Sequence, residues 1–216
     1  AAGVLGLSGV HMLDYRDSGM PGSEDNYHPR SLFSAPVDEV AGRIARLIRE
    51  IQPHVVITFD PIGGYRHPDH IAVHKATVLA YDLASDPAFI TEELEPHSPQ
   101  RLFFHTFSRR WLRMMVRLLP LTGRDPRKWG RNGDIDMTSI ASQQFPIHAR
   151  IGIRSVVEIK KEASACHQSQ LHGSSTSASP LGRLIGLLNQ YEEFMLARPQ
   201  ANGSRVEKDL FSGVHP

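Results

Sequence analysis

A β-branched, almost wholly apolar run, His54, Val55, Val56, Ile57, Thr58, Phe59, lies between two helical patterns, and few architectures accommodate that order. Such a run suits a strand covered on both faces. Before it, Val37, Val40, Ala41, Ile44, Leu47, Ile48 and Ile51 recur at helical spacing, with Arg43, Arg46, Arg49 and Glu50 mostly between them. This predicts an amphipathic helix over 36–51 that Pro53 ends. After the run, Asp60 to Arg66 forms a loop with two adjacent glycines. A second helix then runs from about Pro68 to Ala84, with His67 as its N-cap and proline in the first helical position. Arg101 to Phe107 reads as another strand and Trp111 to Leu119 as a short basic amphipathic helix. The rhythm predicts an α/β fold, Rossmann-like, with a mostly parallel sheet and helices on both faces.

The flanks are less regular. Val10 to Tyr15 is a short extended run closed by the turn-forming Arg16, Asp17, Ser18 and Gly19, and a loop follows to about Ser34. Residues 120–133 are basic and loop-like, Ile147 to Ile153 has strand character, and Val156 to Gln170 has helical periodicity. His172 to Pro180 reads as a flexible surface loop, with Leu181 to Leu188 and Glu192 to Leu196 returning to structure. The length of 216 residues fits one domain over 1–216, and 24 basic against 23 acidic residues give a net charge of +1, which offers no pull toward nucleic acid. No apolar run is long enough for an integral membrane segment. Between Arg109 and Arg131 arginines dominate, which predicts a solvated helix and loop over the sheet edge, with an anionic membrane or a substrate phosphate as the alternative ligand. Cys166 stands alone, so no internal disulfide forms, and a reducing, cytoplasmic location is the expectation. It neighbours His167 on the helix at about 100°, too far round to pair with it, and is expected to be a small buried hydrophobe.

The chemistry concentrates in Gly63, Gly64, Tyr65, Arg66, His67, Pro68, Asp69, His70, at the carboxyl end of the buried strand, where α/β sheets bind ligands. The chain holds 12 histidines, roughly twice an ordinary share, which favours a metal site. Spacing by three places His67 and His70 on neighbouring positions of one face. His70 has the chemistry of a metal ligand, and His67 that of a second imidazole able to donate a proton or polarise a carbonyl. Asp69 is suited to hold one imidazole by accepting its N–H. The competing reading is a capped helix with solvent-exposed histidines. His74, one turn on, is expected to be a surface residue rather than a second ligand. A catalytic zinc needs three protein ligands and an open position, so His70 alone leaves the site incomplete.

These residues resemble a known family. Gly63 to His70 is similar to the GGYxHPDH segment of the LmbE and PIG-L zinc-dependent N-acetylglucosaminyl deacetylases, which include the mycothiol- and bacillithiol-pathway enzymes. Tyr15 to Met20 resembles the family's RDSGM loop, Pro53 to Asp60 its PHVVITFDP strand, and Lys161 to Gln170 its C-terminal helix. The resemblance implies a Rossmann-like α/β domain, a zinc ion as cofactor, and hydrolysis of an acetamide on a small-molecule amino-sugar substrate. It implies His70 as a zinc ligand, His67 as the imidazole that stabilises the oxyanion or protonates the leaving amine, and Asp69 as its orienting carboxylate. Tyr65 matches the tyrosine beside the metal, and Asp17, with Arg16, a loop that holds sugar hydroxyls.

The departure lies at the N-terminal end. The family's AHPDD segment, which supplies two further zinc ligands and the general base, has no counterpart in 1–216. The expectation is a chain whose N-terminal strand lies outside the sequence and which, by itself, is poorly folded and inactive. A non-catalytic sugar- or partner-binding remnant, and an α/β protein whose HPDH turn is only structural, are the alternatives. A homo-oligomer is left open.

Overall fold

A computed structural model describes residues 1–91, 93–107, 109–130, 133–167, 190–203 and 205–215, with the backbone alone at 110 and 111. In chain order the elements are α1 (Ala2–Leu5), α2 (Val37–Ile51), β1 (Val55–Phe59), the single irregular turn α3 (Gly63–Arg66) and α4 (Pro68–Ser85). Then come β2 (Arg101–Thr106), α5 (Arg109–Leu118), α6 (Met137–Ala141), β3 (Ala149–Gly152), α7 (Val157–Ala165) and β4 (Tyr191–Arg198).

The predicted α/β character holds, and α2, β1, α4 and β2 fall where the patterns place them. The sheet runs in the order β1-β2-β4-β3. β1 and β2 are parallel, joined through α4, whereas β2 with β4 and β3 with β4 are antiparallel. A mostly parallel sheet is therefore corrected to a mixed one. The apolar run of a covered strand reads alike in either direction, so its pattern carries no information on the direction of its neighbours. Ile57, on the edge strand β1, is 49% exposed, against the expectation of cover on both faces. Val10 to Tyr15 forms no strand, although Arg16 makes an isolated parallel bridge with Ser31. The predicted helix to Gln170 is described only as far as α7 and ends by Ala165. Cys166 is exposed, not buried, because it follows the last turn of that helix. The expected loop over 172–180 and the segment 181–188 lie outside the described residues.

Two small-residue stripes decide where α4 sits. Val40, Ala41, Ala45 and Ile48 of α2 bury against Ala76, Ala80 and Ala84 of α4, and the alanines let the two helices approach closely. Arg49, buried at the end of α2, secures the far end of α4. Its Nε donates to the Ala84 carbonyl at 3.0 Å, its Nη2 to the Asp86 carbonyl at 2.7 Å, and its Nη1 to Thr91 Oγ1 at 2.8 Å. A guanidinium there adds charged donors to carbonyls at the helix C-terminus that the backbone N–H groups of His97 and Phe89 also serve. α4 also packs on β1, and this fixes its first turn beside the carboxyl end of that strand. A second core joins Phe103 of β2, Ala149 of β3, and Phe194 and Leu196 of β4. Among the described residues, no helix is long and apolar enough to cross a membrane.

Candidate metal centre

β1 delivers the chain to Asp60, after which the backbone turns sharply through the two glycines. Gly63 has φ +63°, and a Cβ there would lie 2.8 Å from His70 Cβ and 2.9 Å from the Ile71 amide nitrogen, so only glycine fits against the first turn of α4. His67 then caps α4 as predicted, with Pro68 in the first turn.

The caps and turns also assign the imidazole tautomers. The Asp69 backbone N–H donates to His67 Nδ1 at 3.2 Å, so Nδ1 carries a lone pair and neutral His67 bears its proton on Nε2. His70 Nδ1 faces the Gly63 carbonyl at 3.2 Å; only an N–H can bond a carbonyl, so the proton is on Nδ1 and the lone pair on Nε2. The two rings, 4.9 Å apart between centroids, therefore present opposite chemistry, a donor from His67 and a ligand atom from His70. His70 stacks on Phe59 at 3.9 Å. Burial holds its pKa below the ordinary histidine value, reinforced by His67 and opposed by the Gly63 contact and the charges of Asp69 and Asp17, so the neutral ligand form prevails at neutral pH.

Asp17, His67 and Asp69 each have a potential ligand atom within 4.8 Å of the others, a spacing that could hold a divalent cation. His70 lies outside that three-residue set but against the His67 ring. Carboxylate and imidazole donors of this kind suit zinc, and the lone pair on His70 Nε2 adds a fourth group of the right chemistry. Asp69 does not receive an imidazole N–H. Its Oδ2 accepts the Ser18 N–H at 2.9 Å and its Oδ1 the Ser18 hydroxyl, and its link to His67 runs through the backbone. Asp17 Oδ1 accepts the Gly19 N–H at 2.7 Å and lies 4.0 Å from His67 Nε2, its side chain exposed to a cation or a sugar hydroxyl. Arg16 is directed away from these groups, with Nη2 on Asp25 at 2.5 Å. Tyr65 sets its edge toward both imidazoles, 5.8 Å from His67 and 5.1 Å from His70. Burial first, and the negative charges of Asp17, Asp134 and Asp69 after it, push its pKa up, so it remains a phenol.

Sequence reasoning missed the residues that lock the loop carrying Asp17. Ser18 is wholly buried, and Asn26 donates from Nδ2 to the Ser18 and Met20 carbonyls and accepts the Gly22 N–H at 3.0 Å. It also missed Asp60, whose carboxylate pairs with Arg109 at 2.7 Å, both side chains buried. An aspartate directly after a buried strand is the available signal. His74 is neither at the surface nor at the cluster; its Nδ1 faces the Phe59 carbonyl at 2.8 Å.

The chain is similar to known proteins. Residues 1–81 match the PIG-L family, described as GlcNAc-PI de-N-acetylase. A "1D-myo-inositol 2-acetamido-2-deoxy-alpha-D-glucopyranoside deacetylase" of Thermomonospora curvata is 36% identical over 224 residues, covering 99% of this chain and 73% of the relative. Proteins of the same name from Rhodococcus erythropolis and Streptomyces scabiei are 33% and 32% identical, over 93% of this chain in each case and 68% and 62% of their own lengths. The chain thus spans a little under two thirds of the Streptomyces relative. Among solved structures, the conserved protein TT1542 from Thermus thermophilus shares the fold, with a TM-score of 0.57 at 20% identity over 94% of this chain and 71% of that one.

Proposed function

The chain belongs to the PIG-L family of N-acetylglucosaminyl deacetylases, and on that premise we propose that it is a zinc-dependent hydrolase that removes an acetyl group from an N-acylated amino sugar or its conjugate. The observation that carries the reading is the opposed tautomer pair, with a ligand nitrogen on His70 and a donor N–H on His67, next to the carboxylates of Asp17 and Asp69. The names of the relatives support an N-acetylglucosaminyl inositol as the substrate type. The reading takes 1–216 as one domain acting in the cytoplasm, where the exposed thiol of Cys166 is kept reduced.

The cation would be held by His70 through Nε2 and by the adjacent carboxylates, and when bound it supplies Lewis acidity and lowers the pKa of water toward neutrality. The protein's own groups stabilise the developing charge and hold the sugar. His67 directs Nε2–H at the acyl oxygen as negative charge develops there, and the Asp69 N–H keeps the ring from turning. Tyr65, held as a phenol, donates a second hydrogen bond to the same region. Asp17, at the exposed rim, accepts sugar hydroxyls, and Arg16 braces its loop through Asp25.

Zinc titration of the protein and its variants tests the reading. His70→Ala is expected to bind zinc at least tenfold more weakly, whereas His67→Ala keeps most of the affinity and loses turnover. Equal zinc affinity in His70→Ala and the unaltered protein would overturn the assignment.

A further inference from the structure

Asp60 is wholly buried just past β1, and its two carboxylate oxygens serve different partners. Oδ1 accepts the N–H of Ile62 at 3.2 Å and of Gly64 at 2.9 Å, while the Asp60 carbonyl accepts the Gly63 N–H at 2.8 Å, so the turn wraps around this one residue. Oδ2 accepts from Arg109 Nη2 at 2.7 Å and from the Thr106 hydroxyl at 3.4 Å. The Arg109 side chain is only 2% exposed, and its guanidinium lies 4.9 Å from the ring centres of both Phe107 and Phe145, with Nε and Nη1 lacking a hydrogen-bond partner. Two charges taken this far from water are expensive, and replacement by apolar residues is often neutral or stabilising, so stability alone gives a weak reason for keeping them.

The geometry of one peptide unit supplies a better reason. The Gly64 N–H held by Asp60 and the Gly63 carbonyl that faces His70 Nδ1 at 3.2 Å are the two ends of the same peptide. A trans peptide is planar, with its N–H and C=O directed oppositely, so holding one end aims the other. We propose that Asp60, braced by Arg109, is a positioning residue for His70. By gripping the Gly64 N–H it turns the Gly63 carbonyl onto His70 Nδ1, keeps the proton there, and leaves Nε2 as the lone pair presented to the cation. The phenyl groups of Phe107 and Phe145 hold the guanidinium in place, and the guanidinium in turn stops the carboxylate from rotating off the turn. The metal part of this inference rests on the proposed deacetylase reading; the tautomer part does not.

Two double variants separate positioning from stability. Asp60→Asn with Arg109→Leu removes both buried charges but keeps an acceptor oxygen for the turn. Asp60→Ala with Arg109→Leu removes the charges and the acceptor. Nitrogen-15 NMR of the histidine rings in metal-free protein reads the tautomer, and competition with a chromophoric chelator reads zinc affinity. The unaltered protein and the Asn-bearing variant are expected to show His70 with its proton on Nδ1. The Ala-bearing variant is expected to show it on Nε2 or in mixture, with zinc bound about 10- to 100-fold more weakly, as for other residues that orient a metal-bound imidazole. A folded Ala-bearing variant with an unchanged tautomer and zinc affinity overturns the proposal. If that variant does not fold, Asp60→Glu, which keeps the charge opposite Arg109 and displaces the acceptor by one methylene, carries the same expected shift and is overturned by the same result. Failure of the unaltered protein to bind zinc would sink the deacetylase reading and leave the tautomer result to decide the positioning role.

Discussion

Gly63→Ala confronts the tightest contact in the centre. A methyl group at that position would sit 2.8 Å from His70 Cβ, 2.9 Å from the Ile71 nitrogen and 3.0 Å from Ile71 Cγ1, well inside the ~3.5–4.0 Å optimum between carbon atoms. Two of those atoms are fixed to the first turn of α4, whose far end is secured by Arg49, so relief requires the helix start to move. Gly64 supplies the internal control, because it too has positive φ, +68°, yet a methyl there meets nothing within 4 Å. Both alanine variants incur a backbone cost of ~1–3 kcal/mol, and only Gly63→Ala adds ~1–3 kcal/mol of overpacking. Urea unfolding of the two proteins side by side is therefore expected to place Gly63→Ala ~1–3 kcal/mol below Gly64→Ala, and zinc affinity to fall further in the first because His70 is the displaced group. Equal midpoints and equal zinc affinities would refute the claim that Gly63 is required by its contact with His70.

Other parts of the molecule give independent expectations. Arg49→Met removes the guanidinium bonds to the Ala84 and Asp86 carbonyls and to the Thr91 hydroxyl, while the backbone N–H groups of His97 and Phe89 still serve the two carbonyls, and is expected to cost ~1–3 kcal/mol in urea unfolding. Asp69→Asn retains one acceptor for Ser18 and loses the other, so amide exchange over 17–22 is expected to accelerate by an amount corresponding to ~1–3 kcal/mol. Glu192 is held down to about 2 from its ordinary 4.5, first by the hydrogen bond from His105, with Lys160 adding to it and burial opposing. A carboxylate depressed in this way stabilises the fold fully above about pH 4.5 and loses that contribution as pH falls toward 2; with partial exposure this amounts to ~1 kcal/mol, and Glu192→Gln is expected to remove it from the acid limb of the stability curve.

The sequence reveals this centre unevenly, and the reasons are physical. Local signals survive well: the proline at the start of α4, the His67 cap and the paired glycines each prescribe backbone geometry within a few residues, and the structure has all three. Partners far along the chain leave no such trace. Asp60 and Arg109 are 49 positions apart, and nothing in a basic run distinguishes Arg109, which turns inward, from an arginine left in solvent. Asp69 was legible as a carboxylate at the site, but its commitment to Ser18, 51 positions away, depends on how the Asp17 loop folds over α4. Strand direction was hidden for a similar reason. Residues 192–196 pattern as structure, yet only their pairing with Phe103 to Thr106 makes β4 antiparallel. The exposure of Cys166 reflects the end of α7, which weak helical periodicity did not locate.

The most direct test of the account is the release of free amine from 1D-myo-inositol 2-acetamido-2-deoxy-α-D-glucopyranoside, followed with an amine-reactive fluorophore, on the protein as isolated, after chelation, and after zinc is restored. The account predicts amine release that chelation abolishes and zinc restores, against the expectation from the missing AHPDD counterpart that residues 1–216 are inactive by themselves, with His67→Ala inactive throughout. Release that persists in chelator, or none from zinc-replete protein, would contradict it.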